Sequence, residues 1–92
     1  MKNGFTAPIT VFLLAVAAAS AAQADDIEGR IEHIDHAART LTVNGITFVA
    51  TRATDYDDDL NRFEDLRVGQ KVEVDFVYRD GMHIATEIEL DD

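Results

Sequence analysis

The sequence contains no cysteine, which excludes the disulfide framework that stabilises many small exported domains. A thiol nucleophile is excluded with it, as is a lipid-attachment cysteine after the apolar N-terminal stretch. No apolar run suits a membrane anchor either: Ile9–Ala19 ends well short of the ~20 residues that a spanning helix needs. Positive charge is scarce, with 8 Lys and Arg against 18 Asp and Glu. Affinity for nucleic acid comes largely from basic side chains that displace counterions from phosphates, and anionic lipid surfaces attract the same residues. Nucleic acid and acidic membranes are therefore poor partners for this chain, whereas cations and basic protein surfaces are compatible with its charge.

What the N-terminus does contain is a leader pattern. Lys2 precedes the apolar run, and Ser20-Ala21-Ala22-Gln23-Ala24 supplies small residues with Ala22 and Ala24 in an A-x-A arrangement. This predicts a secretory signal peptide over residues 1–24, cleaved after Ala24, and a periplasmic or secreted protein without a stable membrane anchor. Residues 25–92 then form one domain, and loss of Lys2 leaves 7 basic against 18 acidic residues, a formal charge of −11. A domain of this size buries only about 60% of the surface its unfolded chain exposes. Without disulfides it stands on packing, helped by closure of a sheet or by association.

Short alternating segments fill the domain. In "IEGRIEHID", Ile27, Gly29 and Ile31 share one parity and Ile34 the other, so a bulge or bend is expected near His33. "TLTV" and "ITFVA" flank Asn44-Gly45, a pair that accepts the positive φ angles of a type I′ hairpin turn. "KVEVDFVY" alternates cleanly, with Val72, Val74, Phe76 and Tyr78 inward and Val77 the apolar exception on the outer side. Asp80-Gly81 is a second hairpin turn. "MHIATEIEL" is read with Met82, Ile84, Thr86, Ile88 and Leu90 inward, and with His83, Glu87 and Glu89 toward solvent. Between strands three and four, the spacing Leu60, Phe63, Leu66 predicts one or two helical turns capped by Asp59. Three strands, a short helix and two strands are the order of an all-β, five-stranded OB-like Greek-key barrel.

"EGRIEHIDHAARTLTVNG", "FEDLRVGQKVEVDF" and "ATEIEL" resemble the small periplasmic OB-like domains of bacteria that are of unknown function. The matching positions, among them Gly29, Leu41, Val43, Gly69, Val72 and Ile88, are core and turn residues, so the resemblance implies a fold and no catalytic group. The frames "GRIEHID" and "VGQKVEVDF" are also similar to the periplasmic copper and silver metallochaperone, another small OB barrel. That resemblance would imply Cu(I) held by a histidine, two methionines and a tryptophan. Here the corresponding segment is Asn44-Gly45-Ile46-Thr47-Phe48, and the sequence has no tryptophan.

Two groups of residues are candidate metal ligands. Asp55, Asp57 and Asp59 match positions 1, 3 and 5 of an EF-hand loop. Leu60 and Leu66 stand where that loop requires glycine and glutamate, so the stretch reads better as a solvated connector from strand three, anchored by Tyr56, Leu60, Phe63 and Leu66. His33, His36 and His83 supply imidazoles for zinc or copper, but they lack ligand spacing, and Met82 and His83 have opposite parity on one strand. No nucleophile–base pair is apparent and no cofactor is implied. The sequence predicts a non-enzymatic binding or accessory module that engages another periplasmic protein or a small ligand. The alternative is a metal-handling protein using Ca²⁺ at the aspartates or a transition metal at the histidines.

Overall fold

A computed structural model describes residues 23–91. Most of the predicted leader, residues 1–22, lies outside the described residues. Five strands are formed: β1 (Gln23–Asp35), β2 (Thr40–Val43), β3 (Ile46–Asp57), β4 (Lys71–Arg79) and β5 (Met82–Leu90). They close in the order β1-β2-β3-β5-β4, with β3 and β5 parallel and every other neighbouring pair antiparallel. This is the all-β, OB-like barrel that the strand order implies, and closure leaves no long unpaired edge. Among the described residues, no helix is long and apolar enough to cross a membrane.

The alternating pattern builds the core directly. Ile31, Leu41, Val43, Phe48, Ala50, Val72, Val74, Ala85 and Ile88 turn inward from the strands and are buried. Both hairpin turns take the positive φ angles that their sequences favour, at Asn44 and Gly45 and at Asp80 and Gly81. The β1–β2 register shifts between Ile31 and His33, where the two parities of β1 required a bulge. Gly29 serves a close approach. A Cβ there would sit 2.7 Å from Asn44 Oδ1, and the Asn44 amide donates to the Glu28 carbonyl at 2.9 Å.

The connector differs from its sequence reading in two respects. Strand β3 runs on to Asp57, so Asp55 and Asp57 belong to the sheet and not to a loop. The helix is a single 3₁₀ turn, Phe63–Asp65, and Asp59 does not cap it. Instead the Asp65 carboxylate reaches back to accept from the Asn61 and Arg62 amides at 2.9 and 3.3 Å. A short turn suffices because its task is to seat side chains: Leu60, Phe63 and Leu66 are all buried. The turn is tied down from outside by Arg39, whose guanidinium lies 4.9 Å from the Phe63 ring centroid and bonds Glu64 at 3.0 Å.

Phe63 is fully buried, and it enters the core from a segment with only one turn of regular structure. Replacing it by alanine removes most of the connector's anchoring, and a large-to-small aromatic change of this kind costs ~3–5 kcal/mol. For a domain near the lower size limit, Phe63→Ala is expected to leave the chain largely unfolded at 37 °C. Chemical denaturation followed by circular dichroism checks this.

Candidate functional site

The outer surface of the barrel carries the feature that the sequence conceals. Strand β1 pairs with β4 so that Asp26 lies opposite Asp75 and Glu28 opposite Glu73. On the other side of β4, Asp75 lies opposite Glu87 and Glu73 opposite Glu89. Strand β5 in turn sets Glu87 beside Asp55 and Glu89 beside Asp57. The result is two rows of carboxylates running across four strands: Glu28, Glu73, Glu89, Asp57 and Asp26, Asp75, Glu87, Asp55. Bridging the two rows, the carboxylate oxygens of Asp26, Glu73 and Asp75 lie within 4.8 Å of one another, as do those of Asp57, Glu87 and Glu89. Among the described residues, the ion pair is Arg39–Glu64, which belongs to neither row.

Two irregularities set this arrangement. Between Ala50 and Asp55 the β3–β5 register shifts, and Thr54 fills the gap. Its buried hydroxyl donates to the Ala85 carbonyl at 2.7 Å and accepts from the Thr51 amide at 2.8 Å. Opposite, β5 has a bulge at Thr86, whose hydroxyl donates to the Asp75 carbonyl at 3.1 Å. The extra residue reverses parity along the first half of β5, which corrects the simple alternation. Ala85 is buried, Met82 is exposed, and His83 turns inward at the mouth of the barrel. Its ring packs 4.8 Å from Tyr78, 5.5 Å from Phe76 and 5.9 Å from Phe48 between centroids.

The sequence-predicted ligands are therefore distributed as follows. Asp55 and Asp57 lie side by side on the outer face of β3, and Asp57 joins a close carboxylate group, while Asp59 lies beyond the strand in the turn. His33 is exposed at the β1 bulge, His36 packs edge-on to Phe63 at 5.8 Å, and His83 is in the aromatic mouth. The close ligand groups among the described residues contain no histidine. Asn44 and Gly45 form the β2–β3 turn, and outside it the Thr42 and Thr47 hydroxyls meet at 3.1 Å. Oxygen donors thus occupy the segment where soft ligands would be needed for Cu(I). Asp26, Glu73, Asp75, Glu87 and Glu89 were not recognised as site residues from sequence. Their signal was acidic residues spaced two apart on several strands, but it needed the inter-strand register to acquire meaning.

Residues 28–89 match the family described as "Domain of unknown function (DUF5666)". The chain belongs to that family. No curated protein matches it. Among solved structures, the DUF5666 chain is similar to apo-CusF from Escherichia coli, at 18% identity with a TM-score of 0.63, over 79% of this chain and 93% of that one. CusF–Ag(I) from the same organism matches at 17% identity and a TM-score of 0.64, over 80% and 99% of the two chains. The fimbrial biogenesis protein PilY2 from Pseudomonas aeruginosa PAO1 has a TM-score of 0.64 at 10% identity, over 75% and 88%. These likenesses establish the shared barrel.

In the DUF5666 barrel, carboxylates facing one another across a ladder repel. Glu73 shows the consequence most clearly: its carboxyl is pushed up to about 7. Hydrogen bonds from its protonated form to Asp26 and then Glu89 are the main causes, followed by desolvation and the charges of Glu89 and Asp75. Glu87 is also raised, first by desolvation and then by the charges of Glu89, Asp75 and Asp57. Glu64, outside the rows, is lowered by its backbone hydrogen bond and by Arg39.

A carboxyl raised on folding binds its proton more tightly in the native than in the unfolded chain. The stability it contributes is complete below the unfolded pKa and is lost as pH rises through the folded one. The domain is therefore expected to melt at a lower temperature at pH 8 than at pH 5, with the fall concentrated between about 4.5 and 7 for Glu73. Glu73→Gln should flatten that fall and raise the melting temperature at pH 8. Thermal unfolding of both proteins across this range checks the sign.

Proposed function

We propose that this DUF5666 domain is an exported, non-enzymatic binding module whose working surface is the double row of carboxylates, and that its ligand is cationic. The single observation that carries the reading is the register that sets Glu28, Glu73, Glu89 and Asp57 beside Asp26, Asp75, Glu87 and Asp55. Like charges opposed at this density cost stability, and a cation laid across them relieves that cost. The chain's −11 formal charge after leader removal would attract such a ligand from a distance and reject acidic ones. The leader pattern at residues 1–24 supports a periplasmic or secreted location. The principal reading is a basic segment of another exported protein, since the rows extend over four strands and exceed the footprint of one ion.

A metal-handling role is the second reading, favoured by the two groups of oxygens within 4.8 Å. All of these donors are carboxylates, which suit hard cations such as Ca²⁺ or Mn²⁺. The solved CusF structure holds Ag(I), whereas the close ligand groups among the described residues here are carboxylates. His33, His36 and His83 are dispersed, and the β2–β3 segment offers threonine hydroxyls. Of Asp55, Asp57 and Asp59, it is Asp57 that joins a close oxygen group, with Glu87 and Glu89.

Calorimetric titration of the metal-free domain starting at Asp25 separates these readings, with oligolysine, CaCl₂ and MnCl₂ as probes at constant ionic strength. Saturable oligolysine binding that weakens at least about tenfold, or 1.4 kcal/mol, in a Glu73→Gln/Glu89→Gln protein supports the basic-segment reading. Saturable metal binding lost in Asp57→Asn/Glu89→Gln supports the second. No saturable response to any probe sinks both.

A further inference from the structure

The closing ladder between β1 and β4 begins before the predicted mature N-terminus. Gln23 pairs with Tyr78 and Ala24 with Val77, whereas the first pair that survives cleavage after Ala24 is Asp25 with Phe76. Removal of the leader thus takes two residues of sheet from the barrel wall. Strand β4 continues past that point to Arg79, held on its other side by β5 through Val77–Ile84, Tyr78–His83 and Arg79–Met82. One side of β4 from Val77 to Arg79 is then an unpaired edge, and backbone N–H and C=O groups on such an edge seek a strand.

The surroundings of this edge are unlike the rest of the surface. Tyr78 and Met82 are 48% and 47% exposed, placing them among the exposed large hydrophobic residues of an otherwise acidic protein. Val77 and Ile84 are half-buried neighbours on the outer face, and Ile84 is followed across the sheet by Val49. The barrel also shows how the edge is occupied, because Gln23 and Ala24 already lie along it as an antiparallel strand with a small residue opposite Val77.

We infer that cleavage after Ala24 opens a strand-docking site on the β4 edge at Val77 and Tyr78, which takes an extended segment of another polypeptide antiparallel to β4. The inference rests on the leader being removed as proposed above and is independent of what binds the carboxylate rows. Main-chain hydrogen bonds supply attachment in this mode, and alternate side chains supply selectivity. The segment that fits carries a small residue over Val77 and no acidic side chain, since Asp25, Asp26 and Asp75 lie next to the edge. A second copy of the chain is a poor occupant because each copy brings a charge of −11.

Amide hydrogen exchange by NMR on two forms of the domain, one starting at Asp25 and one at Gln23, tests this. Of the Val77 and Tyr78 amides, the one directed toward β1 is expected to exchange at least about tenfold faster in the Asp25 form, as local opening predicts. A synthetic peptide of residues 17–24, added in excess, should slow it and shift the Val77 and Tyr78 resonances in that form alone. Equal exchange in the two forms, no peptide response in the Asp25 form, or a dimer of that form by light scattering would each overturn the site. The intact mass of the exported protein tests the processing step separately: a mature chain that retains Gln23 and Ala24 overturns the uncovering of the edge by processing, whatever the exchange rates in the shortened form.

Discussion

The parallel ladder between β3 and β5 is the contact on which the rest of the barrel depends. Without it the strands would form one open sheet in the order β3-β2-β1-β4-β5, with β3 and β5 as its unpaired edges. Parallel pairing requires a long crossover, and here the connector through Leu60, Phe63 and Leu66 and strand β4 provide it. Thr54 sits at the point where the ladder changes register and satisfies the buried Ala85 carbonyl with its hydroxyl. A domain without disulfides therefore closes on itself through one buried threonine, one 3₁₀ turn and a core of small and medium aliphatic residues with two fully buried phenylalanines.

The same ladder creates the acidic surface. Below the register shift, Tyr56 and Ile88 face the core, so Asp55, Asp57, Glu87 and Glu89 must face outward together. Strand β4 adds Glu73 and Asp75 from the other side of β5, and β1 adds Asp26 and Glu28. Repulsion among these groups is a price in stability, met by the core that lies directly beneath: Val72, Val74 and Ile88 are fully buried under the rows. The barrel mouth, with His83 among three aromatic rings, offers a different and largely apolar chemistry.

Most of the fold was legible because β-strand alternation and turn chemistry are local. The parity of β2 and of β4 as far as Phe76, both two-residue hairpin turns, the β1 bulge and the burial of Leu60, Phe63 and Leu66 all follow from residues close in sequence, whereas Tyr78, inward by alternation, is exposed. Two kinds of information were not local. The bulge at Thr86 leaves no mark in an alternating string, and simple alternation turns Met82 and Ile84 inward and His83 outward, opposite to where the fold puts them. The end of β3 was hidden because aspartates are poor strand formers, and only pairing with Glu87 and Glu89 reveals that Asp55 and Asp57 are in the sheet. The candidate site was missed for the same reason: each strand displays its acidic residues openly, but their meeting is a property of register.

The central claim is that barrel closure forces these carboxylates into electrostatic contact. Site-resolved titration of the side-chain carboxyl carbons by NMR measures it most directly. The account predicts a Glu73 midpoint near 7. A Glu73 carboxyl that titrates at the ordinary value of a free glutamate, about 4.3, would contradict it.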